Sequence, residues 1–221
     1  SAPALAESTD ALLQQSTAAK SAVSVLDEEN DMTAEPAYQM NLKYGSIRVY
    51  IEDNGKQYVQ QGDNEAQQRG NLYITTDGGR TTNTLTIEGG TIGAKVTLSN
   101  VNIETTSDAA VSVSGNVELI IAGTNTNTLR SGTGHAGVEK ADDNGTLTIS
   151  GTGTLNAYGG QGGAGIGGAR NKNAGNIVIE SGTIKANGGT WGAGIGGGQS
   201  AAGQNITIRD GNVTAIPVSY T

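Results

Sequence analysis

A six-residue sequence occurs twice in this chain, 29 residues apart. Gly-Ala-Gly-Ile-Gly-Gly stands at residues 163–168 and again at residues 192–197. The apolar triplets at residues 177–179 and 206–208 keep the same spacing, so a whole structural unit is repeated. A repeat period of roughly 20–50 residues is typical of solenoids and propellers.

Earlier copies of the unit align with a small drift in spacing. Residues 147–149 precede residues 177–179 by 30 positions. Each unit holds two or three strand-length apolar alternations, separated by Gly, Asn, Asp or Ser, which break strands and favour turns. Further aligned segments are residues 119–121, placed 28 positions before residue 147, and the shorter turns at residues 96–98 and 85–87.

The length of the unit decides between the repeat folds. It has no room for the helix of many leucine-rich repeats, and a four-stranded propeller blade needs about 40 residues. We therefore predict an all-β fold, a right-handed parallel β-helix of about six coils. Ile149, Ile179 and Ile208 are expected to form one inward stack, and Ile166 and Ile195 a second one.

Glycine divides the chain into two segments. All 35 glycines lie at or after Gly45, where sharp corners and close backbone approach are needed in every coil. Residues 1–40 instead carry seven acidic side chains against Lys20 alone. We predict an acidic, glycine-free N-terminal arm at residues 1–44 and a β-helix domain at residues 45–221.

Three structures remain open for the arm. Leu12, Ala19, Val23 and Leu26 fall near helical spacing, and Asp10 could cap such a helix. An alternating segment within the arm is compatible with a strand, and an unstructured leader is the third alternative. The alternating segment consists of Ser21, Ala22, Val23, Ser24, Val25 and Leu26.

The arm is also the segment to which we assign self-association. No amphipathic helix is expected to cover the last coil, and uncovered strand edges recruit other strands. The arm could cap its own rod, or it could reach a second copy, either by helix packing or by adding residues 21–26 as a strand. We favour the second alternative, which gives an oligomer or a filament.

Composition excludes several classes of function. Without cysteine, the chain has no disulfide, no thiolate nucleophile and no Cys-ligated zinc. A net charge of −8, with 13 scattered basic residues, argues against nucleic-acid binding. No run of 18 apolar residues predicts a transmembrane segment, and residues 1–4 are typical of a mature start rather than a signal peptide. We expect no cofactor.

Residues 97–103, 110–117 and 123–125, followed by the two Ala-Gly-Ile-Gly-Gly coils, carry a family resemblance. They resemble the glycine-rich β-helix repeat of bacterial secreted and cell-surface proteins, some of which are labelled carbohydrate-binding or adhesin-like. The resemblance covers residues 83–215. It implies a secreted or cell-surface location and a polysaccharide or a surface protein as partner, and it supplies no catalytic motif.

The motif Gly163-x-Gly165-x-x-Gly168 matches the glycine pattern of dinucleotide-binding folds. That fingerprint requires a following helix and an acidic residue about 20 positions later. Another strand follows here, and the pattern recurs one unit later. We therefore attribute both copies to the geometry of the coil.

Candidate catalytic residues are few. His135 is the only histidine, so a Ser-His-Asp triad would depend on it, and we interpret it as a loop residue. The one tight acidic pair in the repeats, Asp142 and Asp143, could hold Ca²⁺ or act as paired carboxylates. Glu139 and Lys140 lie beside this pair, and we interpret the segment as a solvated turn. We predict neither a catalytic residue nor a metal site.

Asparagine recurs near the start of three strands, at Asn144, Asn176 and Asn205. We predict that these side chains stack as a ladder and satisfy backbone groups between coils. Thr-x-Thr spacing, in contrast, is not kept from coil to coil, so an ice-binding face is not indicated.

Two aromatic residues, Tyr158 and Trp191, precede the glycine-rich corners of adjacent coils. Flat aromatic faces beside hydrogen-bonding groups suit sugar rings, although each ring could instead cover the thin core. We predict a glycan-binding site formed by Tyr158, Gln161, Asn187, Thr190 and Trp191.

The sequence thus favours a noncatalytic extracellular module, structural or adhesive, that binds a glycan or forms part of a surface fibre. The alternative is a polysaccharide lyase or hydrolase on the same scaffold, which the fold would allow.

Overall fold

The computed structural model describes residues 37–218. The segment assigned to self-association, residues 21–26, and the three alternatives for the arm therefore lie outside the described residues. The first strand, Tyr38–Asn41, falls within the segment that the sequence analysis assigned to the arm.

The described residues form a right-handed parallel β-solenoid of three sheets, with one short 3₁₀ helix at Leu42–Tyr44. Sheet A contains β1 (Tyr38–Asn41), β5 (Leu72–Thr75), β7 (Ala94–Leu98), β10 (Val117–Ile121), β13 (Thr146–Gly151), β16 (Asn176–Ile179) and β19 (Ile206–Ile208). Sheet B contains β2 (Ile47–Ile51), β3 (Gln57–Gln61), β4 (Gln67–Gln68), β6 (Leu85–Glu88), β9 (Val111–Ser114), β12 (Val138–Lys140), β15 (Ile166–Gly167) and β18 (Ile195–Gly196). Sheet C contains β8 (Asn102–Glu104), β11 (Thr126–Arg130), β14 (Thr154–Tyr158), β17 (Thr183–Thr190) and β20 (Asn212–Val218).

The solenoid has about five turns, and the prediction of about six was too high. The difference arises at the N-terminal end of the described residues. There the chain folds back, and β3 pairs antiparallel with both β2 and β4. The next coil contributes only an isolated bridge, between Thr81 and Ile103, at the edge of sheet C.

The register between coils confirms the 29- and 30-residue spacings. Leu147 lies opposite Ile177, and Ile177 lies opposite Ile206. One predicted alignment was wrong, because Val117 and not Leu119 lies opposite Leu147. A shift of two residues keeps the same strand face inward, so the hydrophobic pattern does not distinguish the two registers.

A second alignment was also wrong. The shorter turns at residues 85–87 and 96–98 belong to different sheets, since β6 pairs with β9 in sheet B and β7 pairs with β10 in sheet A. Both segments have the same alternation of apolar residues, which indicates a strand without indicating its sheet.

The predicted inward stacks form the core. Ile149, Ile179 and Ile166 are fully buried, and Ile195 is half-buried. Ile208 continues the first stack in register but is 51% exposed. Its exposure follows from its place on β19, beyond which sheet A has no further described strand.

The glycine-rich corners permit the close stacking of the coils. A Cβ atom added at Gly163 would lie 1.9 Å from the carbonyl oxygen of His135 in the preceding coil. One added at Gly192 would lie 1.9 Å from the carbonyl oxygen of Gly163. Any side chain at these two corners would therefore force neighbouring coils apart.

The predicted asparagine ladder is confirmed for Asn176 and Asn205 alone. The Nδ2 atom of Asn205 donates to Oδ1 of Asn176 at 2.8 Å. Two coils earlier, Oδ1 of Asn116 accepts a hydrogen bond from the backbone N–H of Thr146 at 2.9 Å. Asn144 was assigned wrongly, because the residue in register with Asn176 is Thr146.

The only helical segment within residues 37–218 is three residues long, so no helix of the described chain could cross a membrane.

Substitution of Ile179 by Asp should unfold several coils. It would place an unpaired carboxylate in the core, so we expect a loss of at least about 4 kcal/mol in the free energy of unfolding. Val178→Asp is the matched control, because Val178 lies on the outer face of the same strand. Urea denaturation followed by far-UV circular dichroism measures both, and equal destabilisation by the two variants would contradict the inward stack.

Candidate functional site

Trp191 has a backbone conformation that bulky residues rarely adopt. Its φ angle is 66°, in the left-handed region. The backbone N–H of Gly162 donates to the carbonyl of Thr190, and that of Gly134 donates to the carbonyl of Gln161. Gly134, Gly162 and Trp191 thus occupy equivalent positions in successive coils, and both glycines also have positive φ, at 89° and 86°. Trp191 replaces a glycine at a cost of about 1–2 kcal/mol.

An irregularity in sheet C immediately precedes Trp191. The register between β17 and β20 shifts between Asn187 and Thr190, which marks a bulge. The chain is anchored again where the backbone N–H of Trp191 donates to the carbonyl of Val218 at 2.8 Å. Bulges commonly redirect a side chain. Here the side chain of Trp191 remains 51% exposed.

An open groove of about 390 Å³ lies beside Trp191. The indole is the only aromatic ring among its lining residues, and the other side chains are small. We call this surface the Trp191 groove, and it is lined by Trp191, Gly192, Ala193, Ile195, Gly196, Gly197, Gly198, Ser200, Ala201, Gly203, Pro217 and Val218.

Polar groups stand at the edge of the groove, on the coil that precedes Trp191. Gln161 is exposed and its backbone position is equivalent to that of Thr190, which is half-buried. Arg170, which the sequence analysis missed, covers Gly162, and a Cβ atom added there would lie 2.5 Å from Nε of Arg170. Its Nη2 atom donates to the carbonyl of Gln161 at 3.2 Å. Alignment of Gly134, Gly162 and Trp191 was the signal that could have located this corner.

Tyr158 and Asn187 form a second group on sheet C. They lie opposite each other on β14 and β17, and the guanidinium carbon of Arg130 lies 3.7 Å from the centre of the Tyr158 ring. Asn187 has a buried Nδ2 atom without a hydrogen-bond partner in the described residues. Neither Tyr158 nor Asn187 lines the Trp191 groove. Of the five predicted glycan residues, Trp191 lines the groove, Tyr158, Asn187 and Thr190 lie on sheet C, and Gln161 lies at the corner one coil earlier.

His135 is paired rather than free. Its Nδ1 atom lies 2.8 Å from Oε2 of Glu139, and the same carboxylate oxygen accepts from the backbone N–H of Ala136 at 3.1 Å. Glu139 is buried. The histidine thus holds the corner between sheets C and B together with a carboxylate four residues later.

The prediction of a solvated turn around Asp142 was wrong for Glu139 and for Lys140. The side chain of Lys140 is fully buried and forms an ion pair with Asp142. Its Nζ atom also donates to the backbone carbonyls of Asp142 at 3.0 Å and Asn144 at 2.5 Å. Lys140 lies opposite Val113, whose side chain points into the core. The alternation of inward and outward residues along β12 could therefore have predicted that Lys140 is buried.

These contacts occupy two of the three acidic residues of this corner, Glu139 and Asp142, whereas Asp143 is exposed. Besides Lys140, the carboxylate of Asp142 accepts from the backbone N–H of Gly115 at 3.1 Å. Removing one member of such a buried pair typically costs about 3–5 kcal/mol, which indicates a structural role. No group of three acidic or histidine side chains in residues 37–218 is arranged to hold a metal ion.

Comparison with known proteins identifies the repeat. Residues 147–170 and 177–199 each match a family model described as beta helix repeat. The two segments begin in β13 and β16 and each continue through the following strands of sheets C and B. No curated protein and no solved structure matches the chain. Together with the parallel solenoid, the match shows a right-handed β-helix repeat protein.

Replacing Trp191 tests whether its backbone is strained. Trp191→Gly should be more stable than Trp191→Ala by about 1 kcal/mol, because only glycine adopts this φ without a Cβ penalty. At Thr190, whose φ is not positive, the order should reverse, with Thr190→Ala more stable than Thr190→Gly. Urea denaturation measures all four variants, and the same order at both positions would contradict the strain at Trp191.

Proposed function

We propose that this chain is a noncatalytic module, secreted or on the bacterial cell surface, that binds a polysaccharide in the Trp191 groove. The left-handed backbone of Trp191 carries this proposal. An exposed indole at a position where other coils have glycine reduces stability, and such local strain concentrates at functional sites.

The chemistry of the groove suits a sugar. An indole offers a flat apolar face and a polar N–H, which matches the alternating apolar and hydroxyl surfaces of a pyranose ring. Gln161 and Thr190 supply hydrogen-bonding groups at the adjoining coil. The shallow, open shape of the groove also fits a long chain that passes across it better than an enclosed small molecule.

The occupied acids support a noncatalytic role. Glycoside hydrolysis requires two carboxyl groups that flank the scissile bond. Glu139 is engaged by His135 and Ala136, and Asp142 is engaged by Lys140 and Gly115. The residues that line the Trp191 groove include no acidic or histidine side chain.

Trp191→Ala should reduce polysaccharide affinity by at least about tenfold, because an aromatic stacking contact contributes on the order of 1–2 kcal/mol. Ile92→Ala is the matched control, since Ile92 is an exposed apolar residue at another corner, with 64% of its surface in solvent. A glycan array followed by titration calorimetry measures the affinities of the wild type and both variants.

Two results would contradict the proposal. Equal affinity of the wild type and Trp191→Ala would remove the indole from the site. Release of reducing or unsaturated sugars, lost on Asp143→Ala, would instead favour the lyase or hydrolase alternative.

A second proposal concerns self-association, and it is favoured by the edges of the last described coil. We propose that residues 21–26 of a second copy pair with this coil. β18, β19 and β20 are each the outermost strand of their sheet, and Ile208 and Ile216 are exposed there. Unpaired edges with apolar side chains are templates for an added strand.

Pattern and charge both favour the arm as the occupant. Val23 and Val25 have the two-residue spacing of Ile206 and Ile208, so an added strand could extend the inward stack. Residues 1–40 carry seven acidic side chains and one basic side chain, whereas residues 168–218 carry four basic and two acidic ones. The two surfaces therefore attract each other.

Val23→Asp should dissociate the assembly, because it would place a carboxylate against Ile206 and Ile208. Ser24→Asp adds the same charge on the opposite face of the segment and should leave the assembly intact. Sedimentation velocity of the full chain compares both variants with the wild type. A monomeric wild type would contradict the proposal, and so would equal dissociation by both variants.

A further inference from the structure

We propose that the polysaccharide bound in the Trp191 groove is anionic and that Arg170 binds its carboxylate or sulfate groups. This inference rests on the glycan-binding function proposed above, and it adds both a ligand class and a specificity-determining residue. Three observations carry it: the position of Arg170, its lack of an acidic partner and the local charge.

Arg170 and Trp191 belong to successive coils, in which Arg170 follows β15 and Trp191 precedes β18. The side chain of Arg170 fills the space that a side chain of Gly162 would occupy, and Gly162 is the residue equivalent to Trp191 one coil earlier. Adjacent coils are about 4.8 Å apart. The side chain of Arg170 therefore covers a backbone position one coil spacing from that of Trp191.

Arg170 has no carboxylate partner within residues 37–218. Three other arginines do have one, since Arg48, Arg80 and Arg209 pair with Glu88, Glu104 and Glu180. The single hydrogen bond of the Arg170 side chain in the described residues goes from Nη2 to the carbonyl of Gln161. A guanidinium has five N–H donors, so most remain available for an anionic group.

The charge around the groove is unlike that of the rest of the solenoid. Residues 168–218 carry four basic and two acidic side chains, whereas residues 37–167 carry eight basic and twelve acidic ones. Of the two acids near the groove, Glu180 is already paired with Arg209. An acidic polymer would therefore be attracted to this end of the described chain despite the net charge of −8.

The geometry of a uronic acid fits this pair. Its carboxylate is attached directly to the pyranose ring, so one sugar could stack on Trp191 while its acid group reaches the guanidinium one coil away. A sulfate ester on a neighbouring hydroxyl would offer the same charge at a similar distance. Arginine forms bidentate hydrogen bonds with either group.

The experiment compares three soluble polymers of similar length: a polyuronate, a sulfated galactan and a neutral galactan. Affinity electrophoresis and calorimetry at low and at high salt measure binding by the full chain. We expect the wild type to bind at least one anionic polymer about tenfold or more tightly than the neutral one, with the difference reduced by salt. Preference for the polyuronate alone would identify carboxylate as the ligand, and binding of both would identify anionic charge in general.

Arg170→Gln should lower affinity for the anionic polymer by about tenfold or more and abolish the preference, while Arg170→Lys should retain part of it. Lys185→Gln is the matched control, because it removes an equally exposed, unpaired cation from sheet C. Thermal unfolding of each variant separates lost binding from lost folding.

Two results would overturn the inference, and they are distinguishable. Binding of the neutral galactan as tightly as the anionic polymers, unchanged in Arg170→Gln but weakened in Trp191→Ala, would leave the glycan-binding function intact and remove Arg170 from it. If no polymer of the panel and no glycan of the array binds, both the glycan-binding function and the role of Arg170 are wrong.

Discussion

The backbone hydrogen bonds between successive coils are the interaction on which the rest of this structure depends. They run in parallel ladders through three sheets, and from residue 117 onward they hold each residue opposite a counterpart 28 to 30 positions later. The corners must follow the same spacing, which leaves no room for a Cβ atom at Gly163 or Gly192. Glycine is abundant because the ladders require close backbone approach in every coil.

The same ladders place side chains outside the core. Once the backbone positions are set, a residue at a corner has a defined neighbour one coil away, at about 4.8 Å. The side chain of Arg170 covers Gly162, and the counterpart of Gly162 one coil later is Trp191. A binding surface on such a scaffold needs no flexible loop to be ordered on binding, which lowers the entropic cost of binding.

The period of the sequence predicted the fold because a repeat of this length, rich in strand residues and without helices, is compatible with few architectures. It could not predict each register. Moving residues 117–121 by two positions leaves the same face inward, so Leu119 was aligned where Val117 lies. Lys140 was missed for a different reason, since its charge suggested solvent although its position in β12 pointed inward. The aromatic ring of Trp191 directed the sequence prediction to this corner, whereas Arg170 required knowledge of which residue covers Gly162.

Repeat architecture also explains where the exceptions to the glycine pattern lie. In a solenoid each coil contacts only its neighbours, so a change in one coil has a local energetic effect. Two adjacent corner positions depart from glycine once each in the last three described coils. His135 stands where Gly163 and Gly192 follow, and Trp191 stands where Gly134 and Gly162 precede it. His135 is compensated within its own coil by Glu139, but no hydrogen bond or ring contact of the Trp191 side chain compensates its strained backbone in the described residues. Under the proposed glycan binding, the ligand would supply the energy that offsets this strain, and the stable coils on which Trp191 stands would tolerate it in the free protein.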